Sequence, residues 1–194
     1  FDLAKKRTTT FLSRGMCLVE SSPGYPQTDP AWKPATPHEG PPVDGIGTLY
    51  NRSDRHRWYW QCPDCAEHFE AAPGLRLFHL PSDEDLLQDI RTMDLSKIAN
   101  QYARVICPHC GSIIDAKHKT ELNAGGIWLP DNVRITREKE IVGTPLTSKI
   151  RGYWLGGVAA AYQPWVSLIY NHLEGLRDYA LTGSEKKLKQ AITT

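Results

Sequence analysis

The stretch that decides the reading is QCPDC, residues 61–65, and its echo ICPHC, residues 106–110. Each has the form Cys-Pro-x-Cys. A two-residue spacer lets both sulfurs of one pair reach the same ion, in a turn whose backbone amides also point at sulfur. Two such turns supply the four soft ligands of a tetrahedral zinc site. Cys62, Cys65, Cys107 and Cys110 are therefore the expected ligands. With every position filled by sulfur, none is open to water, so the zinc is expected to be structural. Two disulfides are the alternative for these thiols. His68 and His109 lie beside the pairs as possible substitute ligands, or as plain solvated histidines.

Outward from the pairs, the flanking segments read as hairpins. TLYNRSDRHRWYW (residues 48–60) suggests a hairpin with a polar turn at NRSD and an aromatic strand entering the first pair. EHFEA follows as the return strand, QYARVI enters the second pair and GSIID leaves it. Residues 66–106 separate the pairs, well beyond a short ribbon's roughly 15–20. A helix placed in that gap begins at Ser82, with acids in its first turn and Leu86, Leu87, Ile90 and Met93 on one face, and ends before Ile98. DAKHKTELNAGG reads as a short helix stopped at Gly125. RGYWLGGVAAAY reads as a strand before a loop. PWVSLIYNHLEGLRDYALTG reads as a helix with Trp165, Leu168, Ile169, Leu173, Leu176 and Tyr179 near one face, and SEKKLKQAITT as the start of another.

At the other end, GMCLVE (15–20) has the length and apolarity of a strand, stopped by SSPG. Cys17 within it reads as a buried small hydrophobe. Residues 21–47 form a Pro- and Gly-rich loop with no packing periodicity, of a length that is usually functional or a linker. The fold class is α+β.

The chain has 194 residues and a formal net charge of +1, so any basic footprint for nucleic acid must be local. Arg52, Arg55 and Arg57 beside Trp58 and Trp60 are the candidate footprint, since cations meet phosphate and rings meet bases. The bland reading is that the rings fill a small core and the arginines are solvated. Lys5, Lys6 and Arg7 form a second basic patch. No apolar run approaches bilayer length, no signal-peptide layout opens the chain, and the first residue is Phe, so a piece of something longer is expected.

The order RTTTFLSRGMCLVESSPGYP, TDPAWKPATPHEGPPVDG, LYNRSDRHRWYWQCPDC, ICPHCGSII and GYWLGGVAAAYQPWVSLI resembles the large terminase subunit of tailed phages, of the lambda-like GpA type. The resemblance covers nearly the whole chain and is most specific from Tyr50 to Cys65. It implies an N-terminal packaging ATPase and a C-terminal metal-dependent endonuclease that cut concatemeric viral DNA and drive it into a procapsid.

On that resemblance, Ser21, Ser22 and Pro23 look like the ATPase coupling motif and the cysteines like the family's zinc-binding insertion. The expected division is the end of an α/β packaging ATPase core in residues 1–47, a zinc-ribbon insertion with an inserted helix in 48–130, and a junction leading through C-terminal helices to the nuclease in 131–194. ATP and Mg²⁺ belong to the full-length parent. The implied partners are double-stranded viral DNA, a small terminase subunit and the portal or procapsid, with no membrane, in the host cytoplasm.

No Walker A loop, no strand ending in an Asp-Glu pair and no nuclease carboxylate cluster is present in this sequence. Asp83, Glu84 and Asp85 fit a helix N-terminus better than a two-metal site. No catalytic set is complete, and neither ATP hydrolysis nor DNA cutting is expected of the chain unaided. The alternative reading is a stand-alone zinc-ribbon module that binds DNA or protein, or a staple with no ligand beyond zinc.

Overall fold

Strand β1, His56–Gln61, is the hub around which the other elements assemble. In the computed structural model, which describes residues 6–22, 27–29 and 31–188, β1 pairs antiparallel with β2 (His68–Glu70) and with β5 (Ile127–Leu129). It also pairs in parallel with the two-residue β8, Tyr153–Trp154. Arg57 faces both Leu129 and Trp154, so β8 lies across β1 from β5. β3 (Arg104–Ile106) and β4 (Ile113–Asp115) form a separate hairpin, as do β6 (Val133–Ile135) and β7 (Ile141–Gly143). Among the described residues, the helices of this mixed helix-and-sheet fold include α1 Ile46–Asn51, α2 Asp83–Asp89, α3 Leu95–Tyr102, α4 Lys119–Ala124 and α5 Trp165–Thr182.

Alternation along β1 divides its side chains between two layers. Trp60 is fully buried and meets Phe69 and Trp165, and Phe78 also meets Trp165. This aromatic nucleus belongs to one hydrophobic cluster that takes in Leu86 and Ile90 near α2, Ala99 of α3, Val105, Ile114, and Leu168, Ile169, Leu173 and Leu176 of α5. Residues on both sides of position 130 thus share a core. The opposite layer, with Tyr59, Ile127 and Leu129, is covered by Val133 and Ile135 of the β6–β7 hairpin.

The hairpins flanking both cysteine pairs form as the sequence suggests: β1–β2 carries the first and β3–β4 the second. Gly125 ends α4, and α5 runs to Gly183, which takes the left-handed conformation (φ 72°) that glycine adopts without strain. Tyr179, expected on the buried face of α5, is exposed.

Further expectations are corrected. GMCLVE forms no strand. A strand exists only where a neighbour takes up its backbone groups, and Met16 and Leu18 are each 82% exposed. Cys17 is accordingly half-buried rather than buried.

Residues 46–51 are helical rather than the first arm of a hairpin. Gly47 permits this, because a Cβ there would stand 2.1 Å from the Val43 side chain.

The helix from Ser82 is two helices. Asp94 caps α3 through the Lys97 N–H, 3.1 Å away, and α3 runs past Ile98 to Tyr102, taking residues 101–102 from the expected strand. The stretch from residue 31 to 45, though irregular, is partly interior: His38 is buried, and Gly40 exchanges hydrogen bonds with the Asn51 side chain in both directions. No helix among the described residues is long and apolar enough to cross a membrane.

Candidate metal centre

Each Cys-Pro-x-Cys pair folds into the same turn. In the first, the Cys62 N–H donates to the Glu67 carbonyl (2.9 Å) and the Ala66 N–H returns to the Cys62 carbonyl (3.0 Å). In the second, the Cys107 N–H donates to the Ser112 carbonyl (3.0 Å) and the Gly111 N–H to the Cys107 carbonyl (2.9 Å). The residue after the second cysteine is left-handed in both, Ala66 at φ 59° and Gly111 at φ 75°. The two turns are copies of one backbone solution, which the repeated sequence pattern foreshadows.

The turns face each other. All four Sγ atoms lie within 4.8 Å of one another, with Cys62 3.8 Å from Cys110 and Cys65 3.9 Å from Cys107. A Zn–S bond of about 2.3 Å in a tetrahedron requires sulfurs about 3.8 Å apart. A disulfide requires about 2.05 Å, and all four thiols are free. The donor set and spacing could hold a metal ion and suit a soft divalent one.

Cys62 and Cys107 are buried in the hydrophobic cluster, whereas Cys110 is exposed. Burial pushes the Cys107 thiol up to about 12, and hydrogen bonds from Ser112 pull Cys110 down to about 6. His109 and His68 stand outside the set; the His109 ring Nε2 donates to the His68 carbonyl (3.1 Å). Knuckle one is braced from the β6–β7 turn by Arg137, whose Nε reaches Glu67 at 2.5 Å.

The five residues of the candidate nucleic-acid footprint are not brought together on one surface. Trp60 is core. Arg57 is buried, its guanidinium 4.0 Å from the Trp154 ring centroid and 5.1 Å from that of Tyr50, with Glu70 at 3.7 Å. Arg55 turns inward to Asp131 (3.3 Å) and to the Asn51 carbonyl. Trp58 is half-buried and Arg52 is exposed.

Ser21 and Ser22 lie in an exposed extended segment, where Ser21 Oγ donates to the Ser22 carbonyl (2.9 Å). Pro23, like Lys5, lies outside the described residues.

One constellation has no signature in the sequence reading. Asp131, fully buried, accepts from the backbone N–H of His38 (3.2 Å) and Asn132 (2.9 Å), from Arg55 and from the Thr36 hydroxyl. His38 Nδ1 donates to the Arg55 carbonyl (2.9 Å), so its Nε2 accepts from the Tyr59 hydroxyl (2.8 Å). Burial accordingly holds His38 below its ordinary value and keeps the Tyr59 phenol protonated. This network ties the Pro-rich segment to β1. No periodicity marks such residues, since each stands alone in sequence.

A family model described as phage terminase large subunit gpA, ATPase domain, matches residues 1–128, a span that contains both cysteine pairs. No curated protein and no solved structure matches the chain.

Proposed function

The chain belongs to the family of phage terminase large subunit gpA ATPase domains, and from that premise we propose that its four cysteines hold a structural Zn²⁺ within a DNA-packaging motor. The observation that carries this is the family match running through both pairs, together with four sulfurs at tetrahedral spacing. Zinc, when bound, supplies a crosslink between two hairpins far apart in the chain, with no ligand position left for reaction. Cys62 and Cys107 hold it from inside the core, half-buried Cys65 from its edge and exposed Cys110 from outside, and Arg137 steadies the first turn through Glu67.

In the whole protein the activity is ATP-driven translocation of double-stranded viral DNA with endonucleolytic cutting of concatemers, in the host cytoplasm. The partners are the small terminase subunit and the portal of the procapsid. Residues 1–47 contribute the coupling element Ser21, Ser22 and Pro23 to the ATPase, 48–130 carry the zinc-bound hairpins, and 131–194 lead towards the nuclease. ATP and Mg²⁺ act in the whole protein. Arg52, with its exposed side chain, remains available for phosphate.

Elemental analysis of the purified chain tests the metal. One zinc per chain is expected, with unfolding on chelation, because metal affinity is folding energy at such sites. An absence of zinc together with unreactive thiols overturns the assignment. The coupling role is tested separately in the terminase holoenzyme. Ser21→Ala combined with Ser22→Ala is expected to lower ATP-driven packaging at unchanged zinc content, and unimpaired packaging would refute it.

A further inference from the structure

One face of the four-stranded sheet carries an aromatic row whose Trp58 end packs against the hydrophobic core and whose Tyr153 end lies open. Tyr153 of β8 lies 4.8 Å from the His56 ring of β1 and 5.1 Å from Trp128 of β5, and Trp128 lies 5.0 Å from Trp58 of β1. The row crosses three strands. It is built rather than incidental: Gly126 sits against Trp58 so closely that a Cβ would stand 2.2 Å from its ring, and the Trp58 indole N–H points to the Asn123 side-chain oxygen at 3.4 Å. Yet Tyr153 is 54% exposed, and Trp128 and Trp58 are half-buried.

Cations border the Tyr153 end. Segment 148–152 runs beside residues 52–56, joined by Ser148 to the Arg52 carbonyl (2.8 Å), Asp54 to Ile150 and His56 to Gly152. It carries exposed Lys149, and Arg151 at 72% side-chain exposure, next to exposed Arg52. Asp54 is the acid at this end; it is buried and engaged by His56 (2.9 Å) and Arg151 (3.4 Å).

We propose that this face, Tyr153–Trp128–Trp58 with the rim Arg52, Lys149 and Arg151, binds single-stranded nucleic acid by stacking unpaired bases. An exposed ring such as Tyr153, with half-buried Trp128 beside it, accepts any base, and the rim follows the phosphates. In a duplex the base faces are already stacked on one another, so the row selects unpaired strands. The site stands on the sheet and its rim, independently of the terminase reading.

The test uses the zinc-loaded chain and a fluorescein-labelled oligothymidylate of about 12 nucleotides, within the span of one such site. Fluorescence anisotropy at low salt is expected to show binding. Tyr153→Ala should weaken it about tenfold, and Trp128→Ala similarly with recovery in Trp128→Phe. Arg151→Ala should weaken it and flatten its salt dependence. Tyr162→Ala, at a fully exposed ring outside the row, should change nothing. Zinc content and near-ultraviolet circular dichroism identify any variant that has lost its fold. For such a variant a 5-iodouracil oligonucleotide crosslinked to the unsubstituted chain substitutes, with adducts expected on Tyr153 or Trp128. No binding, equal competition by a duplex of the same length, indifference to the ring variants, or adducts confined elsewhere would each overturn the proposal.

Discussion

Asp131 shows how much a single buried charge can organise. Its carboxylate gathers donors from two distant segments, residues 36–38 and Arg55, and from the adjacent Asn132 N–H. Asp131→Asn keeps the shape but removes the charge facing Arg55 and turns an amide N–H₂ towards existing donors. A loss of about 3 kcal/mol is expected, the cost of breaking a buried pair, read as a lower urea midpoint at constant zinc content. An unchanged midpoint would mean that the pair is not charged in the folded chain. His38 adds a pH dependence. Burial depresses its folded pKa below the unfolded value of about 6.5, and burial likewise lowers His68. The unfolded chain therefore binds the extra proton first. Stability is full above about pH 6.5 and falls as pH drops below it, until the folded histidines also protonate. His38→Gln should shallow that decline in melting temperature, measured where zinc content is constant so that acid release of the metal does not contribute.

At the scale of elements, the two knuckles differ at one instructive place. Both need a left-handed residue after the second cysteine, but one has Gly111 and the other Ala66. A Cβ in that region costs about 1–2 kcal/mol. No atom crowds the position at Gly111, so the penalty of Gly111→Ala is backbone strain alone, about 1 kcal/mol. Ala66→Gly relieves strain but loosens the unfolded chain, for a net gain of about 0.5 kcal/mol. Thermal melts of the zinc-loaded variants should move in opposite directions, and shifts of the same sign would contradict the congruence of the two turns. These turns were legible because Cys-Pro-x-Cys prescribes a local geometry, and so were the hairpins they close. Helix α5 was legible from its apolar face. The elements misread had weaker local rules. α1 depends on Gly47 fitting under Val43, a contact no pattern announces. The break between α2 and α3 hung on the cap at Asp94. GMCLVE has strand composition but no partner among the described residues to pair with. The four-cysteine cluster was readable from the spacing of the pairs. The burial of Arg57 and Trp60 was not, because charge and aromaticity do not reveal that a side chain points into the protein.

For the whole molecule, the decisive fact is that the two cysteine hairpins and α5 share one core. Cys62 and Cys107 lie in the same cluster as Trp165, Leu168, Ile169, Leu173 and Leu176. Full burial of an apolar side chain contributes about 1.5–3 kcal/mol, so these five supply on the order of 10 kcal/mol. That is comparable to the entire stability of an ordinary domain, about 5–15 kcal/mol. Zinc would add stability at one end of this core while α5 closes the other, and neither should suffice alone. Residues 1–130 prepared with zinc should therefore show no cooperative thermal transition, although both knuckles and all four ligands are present. A synthetic peptide spanning 164–183 added in excess should restore one, since it returns Trp165 to its place beside Trp60 and Phe78. A sharp transition in the shortened chain would instead make the zinc hairpins a self-sufficient insertion and α5 an accessory. That outcome would also locate a true domain boundary near 130, where the core shows continuity.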